Sequence, residues 1–430
     1  MSVSPFDSAL HGESWADRDV ARLFSDGAEI RAMLIVWGAL ASAQAAEGLV
    51  PEVSAQAIHR AAMEVAIDPA GLAAETAADG VSVPGLLRAF RAAMNAPEHA
   101  RWVHHGATSQ DLIDTGAALR LRQALALMAE RLDAALATLA DLAEAHAETP
   151  MAARTYGQVA TPSSFGAAVA VWGEGLLAAR DALPALREAV EIVTLNGASG
   201  TLSAMGEAGP RIRGALAGAL GLRDPGRSPH AGRSHVRALA QWLNAVLRAC
   251  DKPATDLLLL ARDGSVTLAA GGASSTMPQK RNPVAPSQIR ALAIHGAALA
   301  HGFDAAHWDQ RDGGAWFAEW LSLPPLVTGA ARALTLLGGM RIAPDAARLR
   351  APLDDPSGLI HAEAVSFALD LPRPEAQARV KAWVTEIRER GGSLIEMAGL
   401  DSDAFAPERQ WGEAPALARR FARAARGAER

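Results

Sequence analysis

The sequence predicts an all-α fold built on a central bundle of five long helices, and three observations support this. Hydrophobic residues make up 50% of the 430 residues and charged residues 20%, and Ala and Leu carry the apolar share, which favours helices over strands. Leucines spaced by three, four or seven residues share one helical face, at positions 121, 125, 132, 136, 139 and 142. No alternation of apolar and polar residues is long enough to predict a large sheet.

The expected helices are separated by loops rich in Gly and Pro. In the first part of the chain we expect helices at 20–47 and 55–66, followed mainly by loops up to residue 113. The five long helices are predicted at 114–147, 163–195, 234–262, 284–303 and 321–340. Shorter helices follow Pro344, at 359–370, 373–391 and 415–427. The predicted domains are an N-terminal helical domain, the central bundle and a small C-terminal domain, at 1–105, 106–343 and 344–430.

The length of the central helices predicts a homo-oligomer. A helix of about 30 residues is about 45 Å long, which exceeds the width of a small domain. The apolar sides of such helices are therefore expected to face partner chains as well as one another.

Charge and composition exclude several kinds of partner. The formal net charge is -6 and Lys and Arg are scattered, which argues against nucleic acid and favours small molecules. The N-terminus has no basic segment followed by an apolar run, and no 18 apolar residues occur in succession, so we expect a cytoplasmic protein that does not enter a membrane. The single cysteine, Cys250, lies in an apolar helical stretch and is interpreted as inert core.

The segment 271–283 carries the strongest chemical signal. It is a loop rich in Gly and hydroxyl groups that runs into a predicted helix, with Pro283 near the first turn. Backbone amides at the helix start, the Lys280 ammonium and the Asn282 amide are suited to hold a carboxylate. Ser274 and Ser275 supply oxygens that can accept a proton.

This loop resembles the signature of the fumarase/aspartase superfamily, whose pattern is Gly-Ser-Ser-x-Met-Pro-x-Lys-x-Asn-Pro. The resemblance implies that Ser274 is the general base and that Lys280 and Asn282 bind a substrate carboxylate. One position departs from the pattern, because Ala273 stands in place of glycine, directly after Gly272. We expect this to stiffen the loop or to shift its turn by one residue.

A second segment, 104–111, is similar to the superfamily's His-x-Gly-x-Thr-Ser-x-Asp pattern. The resemblance implies that His104 contacts the substrate and that the hydroxyls of Thr108 and Ser109 bind its carboxylate. Without the resemblance, His104 and His105 suggest a solvated pair or half of a metal site. No further ligand lies nearby at a zinc-like spacing, so we expect no metal.

A third segment, 154–162, resembles the Arg-Thr-His-x-Gln pattern of adenylosuccinate lyases, in which the histidine is the general acid. Arg154 and Gln158 match, whereas Tyr156, the only tyrosine, replaces the histidine. A phenol with a pKa of about 10 is a poor donor near neutral pH. The 3-carboxy-cis,cis-muconate lactonizing enzymes, another branch of the superfamily, also have an aromatic residue there.

The segments 103–111 and 313–320 also resemble that branch, although Phe317 replaces a histidine and Gln310 replaces the expected glutamate before Arg311. Arg311 and Arg233 are candidates to add positive charge for further carboxylates, and each is equally explained as an ordinary surface arginine. The Gly-x-x-Gly turn at 197–200 fits the superfamily and is equally explained as a helix break.

The resemblance implies a fumarase/aspartase-like fold in which four chains form a twenty-helix core. Each active site would take the 104–111, 154–158 and signature-loop segments from three different subunits. The expected activity is that of a cofactor-independent 3-carboxy-cis,cis-muconate cycloisomerase, acting on a small polycarboxylate in the protocatechuate branch of the β-ketoadipate pathway. Two alternatives stay open: an adenylosuccinate-like or argininosuccinate-like lyase that releases an amine and fumarate, and a non-catalytic scaffold relative.

Overall fold

The structure is a computed structural model that describes residues 3–269, 272–273, 276–309 and 311–427. Its contacts divide the chain into two compact units. Unit 1 comprises Met1–Glu130, Asp181–Ala245 and Ile294–Arg332, and unit 2 comprises Arg131–Arg180, Val246–Ala293 and Ala333–Arg430. The domain boundaries expected after residues 105 and 343 stay a prediction.

The first part of unit 1 contains more helix than the sequence predicted. Its helices are α1 (Gly12–Trp15), α2 (Arg18–Ala21), α3 (Asp26–Ala46), α4 (Glu52–Glu64), α5 (Ala73–Asp79), α6 (Val83–Met94) and α7 (Pro97–Ala100). The expectation of mainly loops up to residue 113 was wrong, because α5, α6 and α7 are too short to show many turns of periodicity. In α6 the buried residues Val83, Leu86 and Phe90 already share one face.

The middle of the chain forms the long helices that were predicted. In chain order the elements are α8 (Ser109–Ala145), β1 (Pro150–Thr155), β2 (Gln158–Ser164), α9 (Phe165–Val190), α10 (Gly209–Leu220), α11 (Ser234–Arg262), β3 (Val266–Leu268), β4 (Gly272–Ala273), β5 (Arg281–Asn282), α12 (Val284–His301) and α13 (Gly313–Gly338). Each of the five long helices α8, α9, α11, α12 and α13 contributes residues to both units. Of the six spaced leucines on α8, five are buried and Leu142 is partly exposed.

The C-terminal part of unit 2 consists of short helices. They are preceded by strand β6 (Ile342–Pro344) and are α14 (Ala346–Arg350), α15 (Ala362–Ala368), α16 (Arg373–Arg390), α17 (Leu394–Met397), α18 (Pro407–Gln410) and α19 (Ala414–Ala425). Strands occur only as two-stranded antiparallel pairs within the described residues, namely β1 with β2, β3 with β6, and β4 with β5. The prediction of an all-α architecture without a large sheet is confirmed.

Each unit has apolar clusters of its own. In unit 1 a large buried cluster joins α3, α4, α6 and α10, with Trp37, Phe90 and Ile212 among its members. In unit 2 a smaller cluster includes Val365 and Phe405. Cys250 in α11 is a free, fully buried thiol whose pKa is raised by burial and by the charge of Asp251, which confirms its assignment to the core.

One helix among the described residues, α13, is long and apolar enough to cross a membrane by length and composition alone. Buried positions make up 56% of its most apolar window. Its Glu319 carboxylate is also buried against Arg233. We therefore assign α13 to the core of the fold.

Candidate active site

The segment 104–111 leads into α8 through two left-handed backbone positions, His104 at φ +70° and Gly106 at φ +69°. A Cβ atom at Gly106 would lie 3.1 Å from the Met205 side chain, so only glycine fits this turn without strain. The turn places Thr108 directly before α8 and Ser109 at its first residue. The start of a helix carries partial positive charge, so this position suits a carboxylate. The binding of a substrate carboxylate by Thr108 and Ser109 stays a prediction.

A buried carboxylate, Asp111, holds this part of unit 1 together. Its Oδ1 atom accepts hydrogen bonds from the Asn196 backbone N–H and from His230 Nε2, each at 2.9 Å. Its Oδ2 atom accepts from the backbone N–H groups of Gly197 and Thr108, each at 3.0 Å. Three segments that are distant in sequence are thereby fixed around one side chain.

Sequence reasoning assigned no role to Asp111 and missed His230. The aspartate is part of the His-x-Gly-x-Thr-Ser-x-Asp pattern. It lies three residues after Thr108 at the start of a helix, and this spacing could have indicated a hydrogen bond from the Thr108 backbone N–H to its carboxylate. The glycine turn at 197–200 belongs to the same assembly, because the Gly197 backbone N–H donates to Asp111. His230 lies 119 residues from its partner and has no local signal.

The structure brings together two of the candidate site residues, Arg311 and Thr108. Arg311 Nη1 lies 3.4 Å from Thr108 Oγ1, and Nη2 donates to the Ala198 carbonyl oxygen at 2.7 Å. Neither contact neutralises the guanidinium, and among the described residues no carboxylate lies within ion-pairing distance of it. A half-buried arginine whose charge is not offset is suited to bind an anionic substrate group.

The two histidines of this segment differ in environment. His104 Nδ1 accepts a hydrogen bond from Trp37 Nε1 at 3.0 Å, and burial together with the charge of Arg91 lowers the His104 pKa to about 4. The His105 ring packs edge-on against Trp102, with centroids 5.5 Å apart. In the part of the chain that the structure describes, no three His, Cys, Asp or Glu side chains are grouped as metal ligands.

Arg233 has a different role from the one that the sequence suggested. It is buried and ion-paired with both Asp114 and Glu319, so its charge is already balanced inside unit 1. Burial raises the pKa of Asp114, but the charge and hydrogen bonds of Arg233 outweigh this and hold it below its usual value. His307 Nε2 lies 3.2 Å from Glu319 Oε1 and extends the cluster.

Unit 2 carries the 154–158 segment at the tip of the β1–β2 hairpin. Tyr156 and Gly157 form the two-residue turn, with φ of +51° and +73°, the pattern of a type I′ turn. Tyr156 is fully exposed. Arg154 and Gln158 flank the turn and are also exposed, and Arg154 approaches Asp263 only to 3.9 Å. The hairpin thus presents all three predicted residues to its surroundings.

Unit 2 also carries the signature loop, whose two ends pair as strands. Gly272 lies opposite Asn282 in the β4–β5 pair, Lys280 is exposed, and α12 begins at Val284 as predicted. A Cβ atom at Gly272 would lie 2.7 Å from Val284 Cγ2, so a larger residue here would displace the Val284 side chain. Ser274, Ser275 and Gln310 lie outside the described residues.

The chain is similar in sequence to known lyases and cycloisomerases. The model of a family described as "Lyase" matches residues 13–295. The chain is 40% identical over 360 residues to the 3-carboxy-cis,cis-muconate cycloisomerase of Pseudomonas aeruginosa, which covers 81% of this chain and 78% of that one. It is 37% identical over 415 residues to the nitrosuccinate lyase of Streptomyces davaonensis, covering 91% and 87% of the two chains.

Solved structures are similar over nearly the whole chain. The 3-carboxy-cis,cis-muconate lactonizing enzyme from Pseudomonas putida superposes with a TM-score of 0.88 at 32% identity, covering 98% of this chain and 99% of that one. A fumarate lyase from Mesorhizobium sp. BNC1 gives a TM-score of 0.86 at 31% identity, with coverage of 95% and 98%.

We expect Asp111→Asn to lower the free energy of unfolding by about 3 kcal/mol, because an amide nitrogen would face buried N–H donors and the charge that accepts four hydrogen bonds would be lost. Urea unfolding measures this. Asp133→Asn is the matched control, since Asp133 is exposed on the same helix, and we expect it to change stability by less than about 0.5 kcal/mol. Equal effects of the two variants would contradict the role of Asp111.

We expect stability to fall as the pH drops from about 6.5 towards 4. Burial lowers the pKa of both His104 and His235 from 6.5 to about 4, helped by Arg91 and Arg233 respectively. In that window the unfolded chain binds protons that the folded chain does not, so acid favours unfolding. Melting temperatures at pH 7 and pH 5 measure the effect.

A pair of variants isolates the contribution of one ring to this pH dependence. His235→Gln removes a buried imidazole and should reduce the loss of melting temperature between the two pH values. The control, His301→Gln, changes a side chain that is 85% exposed and should leave the loss unchanged. If the wild type and His235→Gln lose the same melting temperature between pH 7 and pH 5, His235 does not contribute to the pH dependence.

Proposed function

This chain belongs to the fumarase/aspartase superfamily of lyases, and we propose that it is a 3-carboxy-cis,cis-muconate cycloisomerase of aromatic catabolism. The observation that carries the proposal is the pairing of Arg311 with Thr108 at the start of α8, in a chain that is 40% identical to a cycloisomerase of that specificity. A small polycarboxylate substrate matches an arginine that has no carboxylate partner among the residues that the structure describes.

The proposed reaction joins a carboxylate oxygen of the substrate to one carbon of a double bond. The π electron pair moves to the neighbouring carbon, where an adjacent carboxylate delocalises the charge, and that carbon is then protonated. Ser274 relays this proton from solvent. The positive charge of Lys280 and the amide of Asn282 stabilise the charge that develops on the carboxylate.

The remaining site residues bind the other carboxylates. Arg311 with the Thr108 and Ser109 hydroxyls at the start of α8 holds one of them, and His104 donates to a substrate oxygen. Arg154 and Gln158, on the hairpin of another subunit, also bind the substrate, and Ser275 supplies a second oxygen that can accept a proton. The reaction is redox-neutral and transfers only a proton, so it needs no cofactor.

Tyr156 fits a reaction that needs no strong general acid. In the reverse direction the leaving group is a carboxylate of the same molecule, which departs as a stable anion without protonation. An amine leaving group would require a proton, and a phenol is a weak donor near neutral pH. The replacement of histidine by Tyr156 therefore favours the cycloisomerase over an amine-releasing lyase.

We further propose a cytoplasmic homotetramer with a twenty-helix core, in which three subunits contribute to each site. Exposed apolar residues on the long helices support it, namely Val171, Leu259, Ile294 and Leu321. The fully exposed hairpin tip is suited to reach a neighbouring chain.

A second candidate is a lyase that acts on nitrosuccinate. The relative with that name matches 91% of this chain, and a nitro group leaves as the nitrite anion, which also needs no proton. The same carboxylate-binding residues and the same Ser274 base would serve this elimination.

We expect purified protein to abolish the ultraviolet absorbance of 3-carboxy-cis,cis-muconate, because lactonization removes the conjugated diene. Ser274→Ala should lower kcat by at least about 1000-fold, since the proton relay is lost. Ser287→Ala is the matched control, because that hydroxyl bonds back to the Pro283 carbonyl at 2.9 Å, and it should retain full activity.

The alternatives predict other outcomes in the same assay. No loss of absorbance with wild-type protein would refute the cycloisomerase, and nitrosuccinate and N-substituted aspartates would then be tested for Ser274-dependent elimination. Inactivity on every one of these substrates, with an intact oligomer, would favour a non-catalytic scaffold.

We expect Tyr156→Phe to retain kcat within about tenfold, because an internal carboxylate leaves without a proton donor. The variant keeps the ring and removes only the hydroxyl. Steady-state kinetics with 3-carboxy-cis,cis-muconate measure the change, and a loss of several orders of magnitude would assign Tyr156 as the general acid.

A further inference from the structure

Trp37 on α3 reaches the candidate site through one hydrogen bond. It is 1% exposed, and its ring stacks on Phe90 with an interplanar angle of 2° and centroids 5.7 Å apart. Its indole Nε1 lies 3.0 Å from His104 Nδ1, and the two rings meet edge to face at 88°. The tryptophan is therefore fixed by packing before it meets the histidine.

The indole group fixes which atom is the donor in this hydrogen bond. An indole N–H can only donate, so His104 Nδ1 must be the acceptor and carries no proton. A neutral imidazole has one N–H, which is then on Nε2. The contact with Trp37 thus determines both the tautomer and the orientation of the His104 ring.

The surroundings keep the ring neutral. Burial and the nearby charge of Arg91 disfavour the imidazolium, with the pKa at about 4. The Arg91 guanidinium is itself held by the Val103 carbonyl oxygen at 2.9 Å, directly before His104. The backbone at His104 is left-handed at φ +70°, a conformation that is strained for a residue other than glycine.

We propose that Trp37 is a positioning residue that fixes His104 as a neutral Nε2–H donor to a substrate oxygen and removes it from proton transfer. This rests on the proposed function only in that His104 contacts the substrate. With Nδ1 occupied by Trp37 and Nε2 already protonated, His104 has no free lone pair to act as a base. Proton transfer is left to Ser274, and His104 supplies hydrogen bonding without added charge.

Neutron diffraction from crystals of the deuterium-exchanged full-length protein tests the tautomer directly. We expect nuclear density for deuterium on His104 Nε2, none on Nδ1, and the Trp37 indole deuterium directed at Nδ1. Deuterium on Nδ1 or on both nitrogens would overturn the inference. The result does not depend on activity, so it stands even if 3-carboxy-cis,cis-muconate is not a substrate.

Kinetics test the consequence for binding. Trp37→Phe keeps a buried ring and removes the donor, and we expect KM for 3-carboxy-cis,cis-muconate to rise roughly five- to tenfold, the range of one net hydrogen bond, with kcat within about twofold. Trp172→Phe is the matched control, because this tryptophan is equally buried and donates to Asp256 at 2.7 Å. It should leave KM unchanged. Equal KM values for the two variants would reduce Trp37 to a structural role.

A second pair of variants separates the two ring nitrogens. His104→Gln places an amide N–H near the position of Nε2, whereas His104→Asn places one near Nδ1. Asn tolerates the left-handed backbone better, so a purely structural role predicts the smaller defect in His104→Asn. The inference predicts the smaller rise in KM in His104→Gln, and the reverse order would overturn it.

Discussion

The arrangement of unit 1 depends on the burial of one carboxylate. Removing a charge from water costs several kcal/mol unless hydrogen bonds replace its hydration, and Asp111 at 1% exposure obtains four of them. Its donors come from the segment before α8, from the turn at 196–197 and from His230. If any of these segments moves, a buried charge loses a partner. The interactions that stabilise the fold therefore also hold Thr108, the proposed substrate-binding residue, in place.

One turn further along α8, a second cluster of buried charges lies next to the hydrogen bonds of Asp111. Asp114 and Glu319 share Arg233, and Gln110 Nε2 donates to Asp114 at 3.2 Å and to the His230 carbonyl oxygen at 2.9 Å. The two clusters are thus linked through neighbouring residues of one helix. The two arginines therefore differ: Arg233 is ion-paired with two carboxylates, whereas the contacts of Arg311 with other described residues are to a hydroxyl and a backbone carbonyl.

The sequence predicted those features whose signal is local. The bounds of α11 at 234–262 matched, because its apolar periodicity is long and uninterrupted. The start of α8 was placed five residues late, at 114 instead of 109, because its first turn is polar and serves the site. Thr108 and Arg311 were named separately as candidate site residues, and their contact was not predicted, since a separation of 203 residues leaves no periodic signal. Trp37 and His230 were missed for the same reason, because each acts through one distant partner.

At the hairpin tip, by contrast, the residue present is not the one that favours stability. A type I′ turn with two positive φ angles favours Asn followed by Gly, and an aromatic residue in the left-handed region costs about 1 kcal/mol or more. Exposing the whole Tyr156 ring forgoes any gain from burial within the chain. The turn would be more stable with Asn at 156, so neither backbone preference nor packing explains the tyrosine. The site shared between subunits that we propose above offers an explanation, because a neighbouring chain would then cover the ring.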